Sequence, residues 1–313
     1  MLVSAERPAA SQQPILTSTV AREFVHRAAL ADVFLTGWRN TGKDAFSVTA
    51  QWPRSHGFYT VEHGVYDPMF VAETIRQTFP LLMHAAYGMP FGHQLSWSQF
   101  QFTLNPRAMR VERTPAELEL RVRCRDIRLQ RGIPAAMSMR IDVLRDGTTI
   151  AMARTRFGCH SPQVYRRMRA GLARLADVFA AAPEPPPPAS CAAVGRTRSQ
   201  DVVLSPTDTP GRWQLRLDTD HPVLFDHPVD HAPGMVLLEA VRQTAAALDQ
   251  GSTPGVLTAL DIDFHRYVEF SSPCWIDAEA VPVISAGAQS RTHLTAHQNG
   301  VPVFTANGDI TPL

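Results

Sequence analysis

The chain has 313 residues, of which 44% are hydrophobic and 19% are charged. This composition excludes a disordered protein. The length fits one large globular domain or two of ordinary size. No apolar run approaches the about 18 residues of a membrane span, and the N-terminal segment lacks the basic start and apolar stretch of a signal peptide, so we expect a cytoplasmic protein without membrane contact. The net charge is only +1, but residues 1–160 hold 19 basic and 13 acidic residues whereas residues 201–313 hold five and fourteen, which favours an acidic partner for the first half.

The cysteines give no sign of a metal site. Four of them are spread along the chain without the spacing of metal ligands or of a disulfide framework. We therefore expect no metal and no other cofactor, and we expect no nucleic acid partner. The four cysteines are Cys124, Cys159, Cys191 and Cys274.

The first half of the chain is predicted to form one helix followed by four strands. The helix is apolar on nearly all sides and extends from Pro68 to about Ala86. The strands are indicated by alternation of apolar and polar residues, and the Asp146-Gly147 pair is typical of a hairpin turn between the last two. The predicted strand ranges are 94–104, 116–129, 135–144 and 149–158.

The middle of the chain combines a helix with a linker. Apolar residues at helical spacing predict a surface helix over residues 162–182. The proline-rich run at 183–188 that follows favours an extended polyproline conformation. The predicted organisation is therefore an N-terminal tail (1–21), a first domain (22–160), a helix and proline-rich linker (161–199) and a second domain (200–313).

The second half repeats the order of the first. A helix is predicted from about Pro233 to Leu248, and an Asn299-Gly300 pair predicts the last hairpin turn. Four strands follow the helix, at 257–268, 274–283, 291–298 and 301–310. The two helices align at an offset of 166 residues, with coincident Met, Glu, Arg and Gln. A long apolar helix followed by an antiparallel meander, present twice, predicts an α+β protein with a double hotdog fold, in which each sheet wraps round a central helix.

Each predicted helix carries an unexpected polar trio. Burial of an unpaired carboxylate is costly, so a glutamate in an otherwise apolar helix needs partners or a cavity. Residues three and four positions further along share its face of the helix. An intrahelical ion pair on a solvated face is the simpler interpretation, but the recurrence of the trio favours a functional site. The two trios are Glu73, Arg76 and Gln77, and Glu239, Arg242 and Gln243.

Histidines precede both helices. A histidine close to a helical glutamate is suited to acid–base chemistry on an acyl chain. His63 in the first half and His227 in the second are the better candidates, and structural or surface positions remain an equal alternative for both.

The sequence resembles known hotdog proteins. The segment from Phe225 to Gln243 is similar to the active-site segment of β-hydroxyacyl-carrier-protein dehydratases, but its His-to-Glu spacing is shorter and Arg242 is added. Several first-half motifs and the repeat as a whole resemble the A-factor biosynthesis (AfsA-type) family over residues 22–313. These motifs are Val25-His26-Arg27, Asp32 to Arg39, Gln51 to His56, and Phe58-Tyr59.

The resemblance implies an activity. AfsA-type proteins are acyltransferases that join a β-ketoacyl group carried by an acyl carrier protein to the hydroxyl of dihydroxyacetone phosphate, the first step towards a signalling butyrolactone, butenolide or furan. In this chemistry Glu73 or Glu239 would be the general base, with His63 or His227 as alternatives. Substrate binding falls to the remaining candidates. These are Arg76 and Arg242 for the phosphate, Gln77 and Gln243 beside them, and the backbone of Gly234 and Met235 for the thioester oxyanion.

Three points stay open at this level. A hotdog thioesterase or dehydratase and a non-catalytic acyl-signal binding protein are the alternative functions. The repeat that carries the chemistry is undecided, as is the choice between a monomeric pseudo-dimer and a homodimer. A strand face with alternating arginines is predicted to dock the acidic carrier protein, although it also fits a solvated surface or a patch that meets the acidic second half. These arginines are Arg121, Arg123 and Arg125.

Overall fold

A computed structural model describes residues 18–169, 175–249, 251 and 253–313. Four α-helices and twelve strands are present in these residues. The first half comprises β1 (Leu35–Gly42), β2 (Ala45–Trp52), α1 (Met69–Ala85), β3 (Gln94–Leu104), β4 (Ala116–Gln130), β5 (Ile133–Arg145) and β6 (Thr148–His160). The connection contains α2 (Pro162–Met168) and α3 (Leu175–Ala180). The second half comprises β7 (Leu204–Pro206), β8 (Arg212–Leu215), α4 (Gly234–Leu248), β9 (Gly255–Phe264), β10 (Cys274–Val281), β11 (Ser290–Gln298) and β12 (Val301–Pro312).

The twelve described strands form a single antiparallel sheet in the order β1-β2-β4-β5-β6-β3-β9-β12-β11-β10-β8-β7. Read outward from the centre, the two halves of this order match strand for strand. They meet where β3 pairs with β9, from Gln99 opposite Asp263 to Thr103 opposite Ala259. A pseudo-twofold axis therefore passes between β3 and β9 and relates the two repeats.

Each repeat has one long helix against the inner face of the sheet. Fifteen of the 17 residues of α1 are buried, and the equivalent helix α4 buries ten of its 15. The strands alternate accordingly. In β4, Leu118, Leu120 and Val122 are buried, whereas Arg121 and Arg123 point outward. The predicted α+β double hotdog fold is confirmed.

Two predictions about secondary structure were wrong or incomplete. The single helix predicted over 162–182 ends at Met168, because Arg169 already leaves helical geometry with φ −97° and ψ 22°; residues 170–174 lie outside the described residues. The four strands β1, β2, β7 and β8 were not predicted. In both repeats they precede the central helix and extend the sheet to its outer edges.

Candidate functional site

Glu73 lies at the centre of a buried ion-pair network in the first repeat. Its side chain is 0% exposed, and Arg27, Arg76 and Gln77 all donate to its two oxygens. Arg27 Nε lies 2.9 Å from Oε1 and Arg27 Nη2 lies 2.8 Å from Oε2. Arg76 contributes contacts of 2.9 Å to both oxygens, and Gln77 Nε2 donates to Oε1 at 2.7 Å. We call these four residues the first carboxylate cluster.

The second repeat contains the same arrangement, which we call the second carboxylate cluster (Arg196, Glu239, Arg242 and Gln243). Arg196 donates to both oxygens of Glu239, at 2.8 and 2.6 Å. Arg242 donates at 2.8 to 3.1 Å, and Gln243 Nε2 lies 2.6 Å from Oε1. The two trios predicted from the sequence are therefore real clusters, and each has gained an arginine from outside its helix.

These outside arginines, Arg27 and Arg196, were missed in the sequence analysis. Each also crosses to the other repeat. Arg27 Nη1 donates to the carbonyl of Val223 at 2.8 Å, and Arg196 Nη1 donates to the carbonyl of Phe58 at 3.0 Å. A repeated Val-x-Arg-x4-Asp-Val pattern at 25–33 and 194–202 was the signal that could have identified them.

The glutamates are ionised and fully engaged. Burial alone would raise the pKa of Glu239, but Arg196 and Arg242 outweigh burial and hold this pKa at about 2. Burial and the guanidinium groups of Arg27 and Arg76 oppose each other in the same way at Glu73, whose pKa is also lowered. Neither glutamate lines either of the two cavities described below. The geometry thus favours a positioning function for both, and the general-base role stays a prediction.

Gln77 and Gln243 connect the clusters to the backbone. Gln77 accepts from the Phe34 amide at 3.0 Å and donates to the Asp32 carbonyl at 2.7 Å. Gln243 makes the same two contacts to the Val203 amide and the Asp201 carbonyl. Both side chains are fully buried. Their predicted role in substrate binding stays a prediction, and every contact described here is internal.

A cavity of about 730 Å³ opens beside the first carboxylate cluster. Its walls come from both repeats, and we call it the main cavity. Its lining combines a polar group of residues, an apolar group and the start of α4. The polar wall includes His26, Arg27, Arg76, Asp226 and His227, and the apolar wall includes Phe79, Leu95, Trp97, Leu237, Phe264 and Val303.

The pseudo-symmetric position beside the second carboxylate cluster holds a pocket of only about 80 Å³. His63 and Arg242 line this small pocket, together with Asp67 and Pro68 at the start of α1. His63 is exposed and sits in a tight turn with φ +52°. The structure therefore separates the predicted site residues into two groups, with Arg76, His227, Gly234 and Met235 at the large space and His63 and Arg242 at the small one.

The starts of the two helices explain part of this difference. At α1, the Asp67 carboxylate accepts from the Met69 amide at 2.8 Å and also lies 3.0 Å from Arg196. At α4, the preceding residue is Pro233, and no side chain among the described residues caps the helix. The amides of Gly234 and Met235 have no hydrogen-bond partner within the described ranges. Gly234 and Met235 both line the main cavity, so the positive end of the helix dipole and two free N–H groups lie at its wall, as an oxyanion site requires.

Gly234 allows an aromatic ring to pack directly on this helix start. A Cβ atom at this position would lie 2.5 Å from Cε3 of Trp97. The Trp97 indole is fixed in turn by a 2.8 Å hydrogen bond to Thr155 and by parallel stacking on Phe264. Only glycine therefore permits this contact.

We predict that Gly234→Ala lowers kcat by about 10²-fold for a reaction that forms an oxyanion in the main cavity. The added methyl group displaces either Trp97 or the amides at the start of α4. Steady-state kinetics and thermal unfolding measure the effect. Gly57→Ala is the matched control, since a Cβ there meets no atom within 4 Å. An unchanged kcat in Gly234→Ala would contradict an oxyanion role for this helix start.

His227 belongs to a His-Asp pair at the edge of the main cavity. Asp226 Oδ1 accepts from His227 Nδ1 at 2.5 Å, and the other Asp226 oxygen accepts from the Ala28 amide at 2.9 Å. The imidazole is 44% exposed. A fixed Nδ1–H leaves Nε2 as the accessible nitrogen, which is compatible with proton transfer.

The structure brings a serine and a histidine from neighbouring strands into contact. Ser96 Oγ lies 2.7 Å from His160 Nε2, across the β3–β6 pairing, and Ser96 lines the main cavity. Burial lowers the pKa of His160, and no carboxylate contacts it within the described residues. The pair lacks the third group that orients the base in a catalytic triad.

Arg121, Arg123 and Arg125 are exposed on the outer face of β4, as their alternation predicts. Arg123 lies opposite Arg140 of β5, which lies opposite Arg154 of β6. None of these arginines lines the main cavity.

No group of three or more His, Cys, Asp or Glu side chains among the described residues is placed to hold a metal ion. No helix in the described part of the chain is long and apolar enough to span a membrane.

The fold and its cavities together define a double hotdog protein with one large cavity and one small pocket lined by both repeats. A solved structure described as an oleoyl thioesterase from Lactobacillus plantarum has a similar fold, with a TM-score of 0.51 over 87% of this chain and 98% of that chain. The two sequences are 12% identical, so this similarity supports the fold alone.

The chain belongs to the A-factor biosynthesis (AfsA) hotdog family, whose sequence model matches residues 9–161 and 180–313. Two curated relatives carry the name 2-oxo-3-(phosphooxy)propyl 3-oxoalkanoate synthase. The protein from Streptomyces virginiae is 46% identical over 93% of this chain and 97% of its own length. The protein from Streptomyces coelicolor is 43% identical over 91% of this chain and 89% of its own length.

Proposed function

We propose that this protein is an acyltransferase that moves a β-ketoacyl group from the thioester of an acyl carrier protein to the hydroxyl of dihydroxyacetone phosphate. The product of this reaction is a 2-oxo-3-(phosphooxy)propyl 3-oxoalkanoate, the compound in the names of the curated relatives. One observation carries the proposal. The main cavity combines a guanidinium group, a free helix start and an apolar wall in one space.

Arg76 is the proposed phosphate ligand. Its Nε and Nη2 groups are held by Glu73, whereas Nη1 makes no hydrogen bond to the described residues. The side chain is 17% exposed and lines the main cavity. Arg27 is shared between Glu73 and Asp226, at 2.8 and 3.5 Å, so the group that the cluster leaves free for an anion is Nη1 of Arg76. A guanidinium group fixed in this way is suited to a phosphate.

The thioester carbonyl fits the start of α4. Attack by a hydroxyl turns this carbonyl into a tetrahedral oxyanion, and the amides of Gly234 and Met235 are the free donors that would stabilise it. The apolar wall formed by residues such as Phe79, Trp97 and Leu237 would cover the acyl chain. The leaving group is the thiol of the carrier's prosthetic arm.

We propose direct transfer without an acyl-enzyme. Burial raises the pKa of Cys124 and Cys159 to about 11 and that of Cys274 to about 12, so these three thiols stay protonated and unreactive. Among the described residues that line the cavity, Ser96 is the one hydroxyl paired with a histidine, and its histidine lacks a carboxylate partner. Attack by the acceptor hydroxyl on the thioester therefore needs no intermediate on the protein.

Incubation with a β-ketoacyl carrier protein, with and without dihydroxyacetone phosphate, tests the proposed function. Ester formation that depends on the acceptor is the expected result. Hydrolysis alone would instead indicate a thioesterase, and binding without turnover an acyl-signal binding protein. Intact-mass analysis without the acceptor should show no acylated protein. An adduct that Ser96→Ala removes would replace direct transfer by a covalent route.

The carrier protein is proposed to dock on the arginines of β4. Carrier proteins are acidic, and a cluster of unlike charge speeds the encounter of two proteins. Arg123 and Arg125 have no carboxylate within salt-bridge distance in the described part of the chain, whereas Arg121 contacts Glu119 at 3.1 Å. The in-register neighbours Arg140 and Arg154 add to the positive charge of this outer face.

Replacement of Arg121, Arg123 and Arg125 together by glutamine should raise the KM for the acyl carrier protein several-fold and flatten its dependence on salt, because the steering charge is lost. A soluble thioester without the protein part is the control, and it should react at the wild-type rate. Equal losses on both substrates would show that the arginines do not act by docking the carrier.

A further inference from the structure

His26 occupies a backbone position that normally belongs to glycine. It follows the short turn Arg22–Val25 and has φ +50° and ψ +54°, in the left-handed region. The equivalent residue of the second repeat, between Val194 and Arg196, is Gly195, with φ +60° and ψ +48°. Glycine adopts this conformation without strain, whereas a side chain does so at an energetic cost. The main cavity is therefore lined, at a position where the backbone favours glycine, by an imidazole from the first repeat.

A chain of hydrogen bonds determines which nitrogen of His26 carries a proton. His84 Nδ1 lies 2.8 Å from the Met89 carbonyl, which only accepts, so the proton of His84 is on Nδ1. His84 Nε2 is then an acceptor, and His26 Nε2, which lies 2.8 Å away, must donate to it. His26 Nδ1 is left as an unprotonated nitrogen, and it has no hydrogen bond to the described residues. The imidazole is thus held as a fixed proton acceptor.

His26 lies beside the proposed phosphate ligand. Arg76 Nη2 donates to the carbonyl of Val25, the residue directly before His26, at 3.1 Å. Arg76 and His26 both line the main cavity. In dihydroxyacetone phosphate only three carbons separate the phosphate from the hydroxyl, so a phosphate on Arg76 leaves the hydroxyl near His26.

We infer that His26 is the general base of acyl transfer, an assignment that rests on the proposed function. Nδ1 of His26 takes the proton from the acceptor hydroxyl while the hydroxyl oxygen forms its bond to the thioester carbonyl carbon. The tetrahedral intermediate then collapses, the carbon–sulfur bond breaks, and the imidazolium returns the same proton to the leaving sulfur. Reactants and products balance without an oxidant, a metal or a further co-reactant.

The charges around His26 are consistent with this role. Burial first, and then Arg76, His84 and His227, lower its pKa to about 3, so the imidazole is neutral in the free protein. A phosphate dianion on Arg76 would offset the guanidinium charge and stabilise the imidazolium that forms during the reaction. Substrate binding thereby increases the basicity of His26 at the moment when the base is needed.

Other groups at the cavity are less suited to accept this proton. Both oxygens of Glu73 already accept from Arg27, Arg76 and Gln77, and the side chain is fully buried. Asp226 is held by the Ala28 amide and by His227. His227 and His231 remain the competing bases, because both line the main cavity and have Nδ1 held by the preceding aspartate.

The decisive variants are His26→Gly and His26→Asn. Glycine is the natural residue of the second repeat at this position, and asparagine tolerates left-handed backbone but is not a base. We expect both variants to lose about 10²-fold or more in kcat for ester formation, and we expect His26→Gly to unfold at a temperature no lower than wild type. Added imidazole should restore part of the kcat of His26→Gly, a result that a purely structural role would not give.

Two controls separate the possible results. Asp146→Gly removes the backbone strain of another left-handed residue, which lies in the β5–β6 turn and does not line the main cavity. This variant should leave ester formation unchanged. Wild-type kcat in both His26 variants, combined with a large loss in His227→Asn, would overturn the inference and assign the base to His227. Failure of the wild-type protein to form the ester at all would instead refute the proposed function, so the two failures are distinguishable.

Discussion

Replacement of Arg76 by alanine should lower kcat/KM for dihydroxyacetone phosphate by about 10²-fold, whereas Arg242→Ala should retain activity close to wild type. A charge-assisted hydrogen bond contributes about 1.5–3 kcal/mol, and about 1.4 kcal/mol corresponds to a tenfold change. Arg76 faces a cavity of about 730 Å³, whereas Arg242 faces a pocket of about 80 Å³ that is too small for a phosphorylated acyl ester. The two variants therefore test which repeat carries the chemistry.

The pair is well matched because each substitution removes the same kind of contact. Arg76 and Arg242 are each one of two arginines that contact a buried glutamate. In both cases the glutamate lies three residues earlier on the same helix. The two losses of stability should be similar, so a difference in activity cannot come from folding. Kinetics with varied acceptor, together with thermal unfolding of both variants, provide the measurement. Loss of activity in Arg242→Ala alone would move the site to the second repeat.

The central helices and the long strands were predictable from the sequence. The helix predicted from Pro68 to about Ala86 is Met69–Ala85, and the strand predicted over 94–104 has those bounds. Such segments are buried on one or more faces, so their apolar periodicity is strong. β7 and β8, which precede α4, have only three and four residues, too few to give a periodic signal. The pairing of β3 with β9 joins residues far apart in sequence, and no local pattern encodes it.

The helical half of each carboxylate cluster was also predictable, because Glu73 and Arg76 lie one turn apart. The arginine that each cluster receives from outside its helix was not predictable. Arg27 lies 46 residues before Glu73, and Arg196 lies 43 residues before Glu239, so the fold alone brings them together. The two helix starts differ in the same way, with Asp67 paired to Arg196 at α1 and Trp97 packed on Gly234 at α4. Both are tertiary contacts, and no local pattern encodes them.

The two carboxylate clusters also connect the repeats, and Arg196 is the clearest case. Its side chain is 1% exposed and contacts Glu239 of its own repeat together with Asp67 and the Phe58 carbonyl of the other. Its guanidinium group also lies over the Phe58 ring at 4.4 Å. A single buried cation thus satisfies two carboxylates from different repeats.

Arg196→Met should therefore destabilise the protein by about 3–5 kcal/mol, since removal of one partner leaves the other charges buried without compensation. Urea unfolding monitored by circular dichroism measures the change. Arg198→Met is the matched control, because that arginine is 44% exposed at its side chain and its partner Asp201 also contacts His221. Control and test substitutions are two residues apart, and the control should cost about 1 kcal/mol or less.

The pH dependence of the free energy of unfolding tests independently whether Arg196 stabilises the protein through the charge of Glu239. The pKa of Glu239 falls from about 4.5 in the unfolded chain to about 2 in the folded protein. A lowered folded-state pKa means that the contribution of Glu239 to stability is complete above about pH 4.5 and is lost as the pH falls from there towards 2. Arg196→Met should reduce the loss of stability between about pH 4.5 and 2, because the variant lacks a guanidinium group that keeps Glu239 ionised. An unchanged acid loss in the variant would show that Arg196 stabilises the protein by packing and not through the charge of Glu239.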